Sequence, residues 1–122
     1  MAIRPNISVV IPVFDEAENV GDLHRELTTS LEAFGRPYEV IFVDDGSRDA
    51  TLARLVEIEA ADPRVRVLRL RRNFGQTAAF SAGFDHARGD VVVTSDGDLQ
   101  NDPADIPRLV ARLDEGFDMV CG

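Results

Sequence analysis

The residues of this sequence that could do chemistry are concentrated behind one apolar run. Three carboxylates and two amides crowd into seven positions soon after Val91–Val93: Asp96, Asp98, Gln100, Asn101 and Asp102. Carboxylates held this close repel one another, so at neutral pH they share protons, stay well solvated or hold a cation. Because no His or Cys stands among them, their oxygens favour a hard ion such as Mg²⁺ or Mn²⁺. Asp98 and the amide oxygen of Gln100 could bind such an ion; the structural alternative for Asp-Gly-Asp is a solvated turn or a helix cap.

Two further acidic clusters also follow apolar runs. Asp15 and Glu16 come after the first run, and Asp44-Asp45-Gly46-Ser47 comes after the second. Each cluster has a purely structural alternative. The first could complement the dipole of the following helix, and the second could be a turn in which Ser47 or Asp49 caps a helix. The joint placement of all three clusters behind apolar runs favours a shared functional edge.

A fourth polar stretch is basic. Arg71 and Arg72 could meet phosphates, or they could lie on a solvated sheet edge. Asn73-Phe74-Gly75 is typical of a turn, and the helix expected to begin near Gln76 offers backbone N–H groups to an anion.

The remaining reactive side chains are assigned no chemistry. His24 and His86 each stand among polar neighbours of a predicted helix, so both are expected at the surface. Cys121 is expected to be a strand residue rather than a nucleophile.

Short apolar runs alternate with helix-length segments along the chain. Strands are predicted over residues 7–13, 38–43, 65–70, 91–94 and 117–120. Helices are predicted over residues 20–34, 50–61 and 76–87, and a fourth begins near 103 with Asp102 as its cap. In the second helix, Leu52, Leu55 and Val56 are expected to face the core.

This alternation predicts an α/β fold, a three-layer αβα sandwich with a mostly parallel sheet, because crossovers between parallel strands are right-handed. Ligands of such sheets bind outside the carboxyl ends of the strands, where the strand order reverses. Since every acidic cluster follows a strand, all three are expected to converge on that edge.

Composition excludes several classes of function. A formal charge of −9 argues against nonspecific nucleic-acid binding, and the absence of Lys excludes lysine chemistry, since all 13 basic residues are Arg. The single Cys suits a reducing compartment, and no stretch is apolar enough to span a bilayer or to serve as a signal peptide. As written, the chain is expected to be one cytoplasmic domain of 122 residues.

Taken together, four segments resemble the family 2 glycosyltransferases of the GT-A fold. They are "SVVIPVFDEAENV", "EVIFVDDGSRDAT", "RNFGQTAAFSAGFDHARGD" and "SDGDLQNDPADIP". Within that family the sequence is most similar to the polyprenyl-phosphate sugar transferases that include dolichol-phosphate mannose synthase. The resemblance covers nearly the whole chain.

The resemblance implies a UDP- or GDP-linked sugar donor, a divalent metal and a polyprenyl-phosphate acceptor. It implies a metal and diphosphate motif at Asp96, Gly97 and Asp98, with Gln100 as an additional metal ligand and Asp96 and Asp98 as the catalytic pair. The nucleotide-sugar-binding residues that it implies are Pro12, Phe14, Asp15, Glu16, Asp44, Asp45, Gly46, Ser47, Gly75 and Gln76. Gly97 stands where that branch usually has Ala.

The departure from the family pattern lies at the C-terminus. The family continues past the "DMVCG" strand into an acceptor-binding part, which carries the acceptor-activating carboxylate, and often into membrane helices. The chain is therefore expected to be the donor-binding part, residues 1–122, with no general base assigned. The full-length protein is expected at the cytoplasmic face of the membrane.

Three competing interpretations follow from the same residues. A receiver-like signalling domain would need a lysine near its phosphoryl group and an acceptor Asp after the third strand, where Arg69–Arg72 stand instead. A dinucleotide-binding domain would need Gly-x-Gly-x-x-Gly after the first strand, which "PVFDE" does not supply. A non-catalytic binding or assembly module would self-associate through the strand edge at 117–120, and a homodimer is expected on that ground.

Overall fold

The computed structural model describes residues 5–71, 75–94 and 119–121. Strands and helices alternate within these ranges. The five strands are β1 (Ile7–Val13), β2 (Tyr38–Asp44), β3 (Val65–Arg69), β4 (Val91–Thr94) and β5 (Met119–Cys121). The three helices are α1 (Val20–Phe34), α2 (Thr51–Ala61) and α3 (Gln76–His86). The predicted strands and helices within the described ranges are thereby confirmed, and the predicted ends that fall inside those ranges differ by no more than one residue.

All strand pairs in the sheet are parallel, and the order is β3-β2-β1-β4-β5. The chain moves outward from β1 to β3 in one direction and then returns to place β4 on the other side of β1. The strand order therefore reverses between β1 and β4, which is where open α/β sheets bind ligands.

Two apolar cores lie on opposite faces of the sheet. On one face, α1 and α2 cover a cluster that includes Ile11, Leu27, Phe42 and Leu55. On the other face, α3 packs its Ala79 against Val10, Ile41 and Val43. The predicted three-layer arrangement is confirmed, because alternate side chains of β1 and β2 point to the two faces.

The inward face of α2 differs from the prediction. Leu55 is fully buried, but Val56 is 50% exposed, and Thr51 and Ile58 face the core in its place. The side chains of residues 51, 55 and 58 lie on one side of the helix. The side chain of residue 56 is rotated about 100° around the helix axis from that of residue 55, so it points away from the core.

The two histidines also differ from each other. His86 is exposed as predicted, but His24 is half-buried, and its Nε2 lies 2.8 Å from Asp62 Oδ2. Surface placement of His24 was therefore wrong, because Asp62 after α2 reaches back over α1. The predicted fourth helix and its cap Asp102 lie outside the described residues.

At the amino ends of the strands, a buried carboxylate joins four segments. Glu39 is 1% exposed and stands beside Ser8 in the β1–β2 register. Its Oε2 accepts hydrogen bonds from the Ser8 hydroxyl at 2.6 Å and from the Arg88 N–H at 2.7 Å. Its Oε1 pairs with the guanidinium groups of Arg66 at 3.2 Å and Arg88 at 3.0 Å.

Burial opposes ionisation of Glu39, but its hydrogen bonds prevail. The bonds from Ser8, from the backbone and side chain of Arg88 and from Arg66 together outweigh the desolvation, and the pKa of Glu39 lies below its ordinary value. The carboxylate therefore stays charged at neutral pH inside the fold.

Close contact between α3 and β1 leads to a prediction at Gly83. A Cβ added there would lie 2.2 Å from Val10 Cγ1, within the buried core. Gly83→Ala is expected to lower the free energy of unfolding by about 2 kcal/mol, as overpacking of a core typically does. Urea denaturation would measure the change.

Gly21 is the matched control, since no atom lies within 4 Å of the same addition. Gly21→Ala is expected to be neutral or to stabilise by up to about 1 kcal/mol, because alanine is the better helix former. In a Val10→Ala background the clash is relieved, so Gly83→Ala is expected to cost less free energy of unfolding there than in the wild type. An equal or larger cost in that background would contradict the packing explanation.

Candidate functional site

The candidate site lies at the carboxyl ends of β1 and β2, beside the reversal of strand order. Two segments form it: the first loop, residues 14–19, follows β1, and the second loop, residues 45–50, follows β2. Asp45 N–H donates to the Val13 carbonyl at 2.9 Å, which extends the β1–β2 pairing into the site.

Asp15 joins the two loops. Its Oδ1 accepts the backbone N–H groups of Arg48 at 2.7 Å and Asp49 at 3.3 Å, and its own N–H donates to Ser47 Oγ at 2.9 Å. Asp15 has φ of 51°, and no other non-glycine residue in the described part has positive φ. Asp and Asn tolerate this left-handed conformation better than other non-glycine residues, so the residue type suits the position.

A second set of bonds runs parallel to the Asp15 junction. The Glu16 N–H donates to Thr51 Oγ1 at 2.8 Å, and the Ala17 N–H donates to Asp49 Oδ2 at 3.4 Å. Asp49 Oδ1 accepts the Thr51 N–H at 2.8 Å and also the Thr51 hydroxyl. The hydroxyl bond, followed by the backbone bonds, holds the pKa of Asp49 below its ordinary value.

The N-cap residue of α2 is Ala50, so neither Ser47 nor Asp49, the two caps that the sequence left open, occupies that position. Asp49 accepts the first N–H of α2, whereas the Ser47 hydroxyl is turned toward Asp15. Glu16 does not bind the first N–H groups of α1 with its side chain; its Oε2 accepts from the Asn19 amide at 2.7 Å, and its carbonyl accepts the N–H of Val20 at 3.0 Å.

The two aspartates that end β2 are buried and tie the sheet to neighbouring segments. Asp44 is 1% exposed, and its Oδ1 accepts the Ser47 N–H at 3.2 Å. Asp45 is 5% exposed, and its Oδ2 accepts the Gly75 N–H at 3.0 Å. The turn between them and Ser47 uses Gly46 at φ of 73°.

An aromatic ring and a cation complete the described rim. Phe14 is half-buried, and the guanidinium carbon of Arg48 lies 5.7 Å from its ring centroid. Arg48 itself is exposed and Pro12 is buried beneath this rim. A flat apolar surface beside an exposed cation can hold a planar base and an anionic group of the same ligand.

The structure thus brings most of the sequence-predicted site residues to one edge. Pro12, Phe14, Asp15, Glu16 and Asp44–Ser47 lie there, and Gly75 and Gln76 begin α3 beside them. Arg71 is exposed next to β3, while Arg72 lies outside the described residues. Direct contact of any of these residues with a ligand stays a prediction.

The structure does not test the proposed metal ligands. Asp96, Gly97, Asp98 and Gln100 lie outside the described residues. Among residues 5–71, 75–94 and 119–121, no three His, Cys, Asp or Glu side chains form a group that could hold a metal ion. The acidic side chains of the first two clusters instead bind backbone N–H and side-chain amide groups.

Two residues that sequence reasoning assigned no binding role are central to the loop junction, Asp49 and Thr51. The signal available was their spacing, since an Asp two positions before a Thr at the start of a helix is a common capping pattern. What the spacing could not show is that the Thr51 hydroxyl reaches Glu16 in a different loop.

Comparison with known proteins assigns the family. The model of "Glycosyl transferase family 2" matches residues 8–122, which includes all the strands and helices described above except Ile7, the first residue of β1. The chain belongs to glycosyl transferase family 2.

A curated relative and a solved structure each match most of this chain. The chain is 48% identical over 115 residues to undecaprenyl-phosphate 4-deoxy-4-formamido-L-arabinose transferase of Salmonella paratyphi B, covering 93% of this chain and 35% of that protein. The structure of S. aureus TarS in complex with UDP matches with a TM-score of 0.67 at 27% identity, covering 90% of this chain and 32% of TarS. The family 2 chain thus spans about a third of the length of these relatives.

A third match concerns the fold alone. A mannosyltransferase from Pyrobaculum calidifontis, solved with GDP-Man and Mn²⁺, has a TM-score of 0.70 at 23% identity and covers 88% of this chain and 32% of its own. The expected GT-A fold class is thereby confirmed, and a divalent metal is found in a protein of this fold.

Proposed function

We propose that this chain is the donor-binding part of a glycosyltransferase that moves a sugar from a UDP- or GDP-linked donor to a polyprenyl-phosphate acceptor. The observation that carries the proposal is the 48% identity to an undecaprenyl-phosphate sugar transferase over 93% of the chain. The loop junction at the carboxyl ends of β1 and β2 supports it, because that edge is where α/β sheets bind nucleotides.

The described residues have separate tasks in this proposal. The first and second loops cradle the nucleoside, with Phe14 against the base and the junction of Asp15 with Ser47 keeping the two loops at a set distance. Asp44, Asp45 and Gly46 shape the turn beneath them, Pro12 and Glu16 support the first loop, and Gly75 and Gln76 border the diphosphate side.

In the transfer step, an oxygen of the lipid phosphate attacks the anomeric carbon and the bond from that carbon to the diphosphate oxygen breaks. Mg²⁺ or Mn²⁺ held by Asp96, Asp98 and Gln100 would neutralise the charge that develops on the leaving diphosphate. Because no lysine is present and the acidic side chains outnumber the basic ones, 22 against 13, a cation at this edge also explains how the chain accepts an anionic donor.

Location and assembly belong to the same proposal. No helix in the described ranges is long and apolar enough to cross a membrane. We place the donor site at the cytoplasmic face of the membrane, where nucleotide sugars and a lipid phosphate can meet. Strand β5 lies at the edge of the described sheet, and pairing of two such edges would give a homodimer.

Calorimetric titration tests the donor site. UDP, GDP and their glucose and mannose conjugates would each be titrated into the chain with Mn²⁺, with EDTA and after Asp98→Ala. One of the two bases is expected to bind with Mn²⁺, and both EDTA and Asp98→Ala are expected to weaken that binding at least tenfold, because the ion links the acidic edge to the diphosphate.

Asp85→Ala is the matched control, since it removes the same charge from an exposed position of α3. It is expected to leave the affinity unchanged. Absence of nucleotide binding under every condition, in a folded sample, would contradict the proposed donor site.

A further inference from the structure

Asp45 lies at a three-way connection beneath the proposed donor site. Its N–H donates to the carbonyl of Val13 at the end of β1, and its Oδ2 accepts the N–H of Gly75 at the start of α3. The adjacent Asp44 carbonyl accepts the Leu70 N–H just after β3, at 2.9 Å. Residues 44–45 therefore tie together the ends of β1 and β3 and the beginning of α3.

The burial of Asp45 argues for a role in holding protein segments. It is 5% exposed, in contrast to Asp15, which is exposed at the same edge. A carboxylate buried to this extent needs hydrogen bonds to offset the lost hydration, and the Gly75 N–H supplies one of them at 3.0 Å.

Gly75 is the residue through which Asp45 can act on the helix. Its φ of 97° and ψ of 164° lie in a region that is essentially restricted to glycine. Its carbonyl accepts the Ala79 N–H at 3.2 Å, at the start of α3. The direction of the Gly75 peptide therefore determines where α3 begins relative to the second loop.

The rest of α3 is held independently of Asp45. Ala79 is fully buried, Gly83 packs against Val10, and Arg66 Nη1 donates to the His86 carbonyl at 2.7 Å. Loss of the Asp45 contact would release the end of α3 that faces the donor edge while the body of the helix stays in place.

We infer that Asp45 is a positioning residue, which sets the start of α3 against the second loop through the Gly75 N–H and does not contact the donor. This inference rests on the proposed function for its effect on donor affinity. It concerns hydrogen-bond acceptance by Asp45 Oδ2, so a substitution that keeps an acceptor oxygen there is expected to keep the start of α3 in place.

Two substitutions test whether the acceptor oxygen of Asp45 is what positions α3. Asp45→Asn keeps an acceptor oxygen, and Asp45→Ala removes it. Titration of the Mn²⁺ complexes of UDP and GDP gives the dissociation constant and the binding-competent fraction of each protein separately. Asp45→Ala is expected to weaken the affinity about tenfold with an unchanged competent fraction, and Asp45→Asn is expected to stay within about threefold of the wild type.

Gly75→Ala provides the coupling test, because alanine is strained at φ of 97° although space for its Cβ is open. It is expected to weaken the affinity as Asp45→Ala does. The double variant is expected to be no weaker than the worse single variant, since both changes displace the same segment. Equal losses for Asp45→Asn and Asp45→Ala, or full additivity with Gly75→Ala, would overturn the inference.

Hydrogen exchange at the Gly75 amide gives a readout that does not depend on the donor. Protection is expected in the wild type and in Asp45→Asn, and it is expected to be lost in Asp45→Ala while the Gly83 amide stays protected. If the wild type binds no nucleotide, the proposed function fails and this exchange pattern still decides the positioning role. Unchanged Gly75 protection in Asp45→Ala would refute that role.

Discussion

Replacing Glu39 with alanine is expected to lower the free energy of unfolding by about 3–4 kcal/mol, as removal of one partner from a buried ionic network typically does. The substitution leaves the Arg88 N–H without its acceptor and removes the shared partner of two guanidinium groups. It also opens a void between β1 and β2, where Ser8 donates to the carboxylate. Equilibrium urea denaturation measures the loss.

Glu57→Ala is the matched control, since Glu57 is exposed on α2 and carries the same charge. It is expected to change the stability by no more than about 0.5 kcal/mol. A loss at Glu39 no larger than the loss at Glu57 would show that the network contributes nothing to folding.

The pKa of Glu39 adds a test by pH. Because that pKa is lowered in the folded protein, ionisation of Glu39 stabilises the fold, and this contribution is complete above the ordinary glutamate value of about 4.3. It is lost as the pH falls through the lowered pKa. The stability difference between the wild type and Glu39→Gln is therefore expected to be constant from pH 7 to about pH 5 and to shrink below about pH 4.

Replacing Asp15 with alanine is expected to lower the free energy of unfolding by about 2–3 kcal/mol and to weaken donor binding. Two backbone N–H groups lose a charged acceptor, and alanine is less tolerant than aspartate of φ at 51°. Since Asp15 joins the first and second loops, the donor cradle is expected to open.

The conservative variants separate the two causes. Asp15→Asn keeps an acceptor oxygen and tolerates the left-handed conformation, so it is expected to resemble the wild type. Asp15→Gly removes the acceptor but has no strain, so it is expected to lie between Asn and Ala. Urea denaturation and donor titration of the three variants are expected to rank them Asn, Gly, Ala, from the most to the least stable and tightly binding. An Asp15→Ala protein as stable as Asp15→Asn would contradict the claim that Asp15 holds the two loops together.

Much of the fold could be predicted from local patterns. The strand Ile7–Val13 and the helix Val20–Phe34 were located because their apolar periodicities are long and their ends are marked, in the helix by Gly35 at φ of 83°. The second helix was located correctly, but its buried face was not. A short helix with apolar residues at 52, 55, 56 and 58 fits more than one face, and only packing against the sheet selected Leu55 and Ile58 over Val56.

The sequence by itself determined the alternation of strands and helices, and therefore the edge at which its first two acidic clusters, residues 15–16 and 44–47, meet. Parallel strands joined by right-handed crossovers leave no other place for residues that follow strands. Only the tertiary structure decided what those acids hold. Asp15 accepts N–H groups from residues 33 and 34 positions away, and Asp45 accepts one from 30 positions away. Hydrogen bonds across such separations depend on strand order and register, which local sequence patterns do not encode.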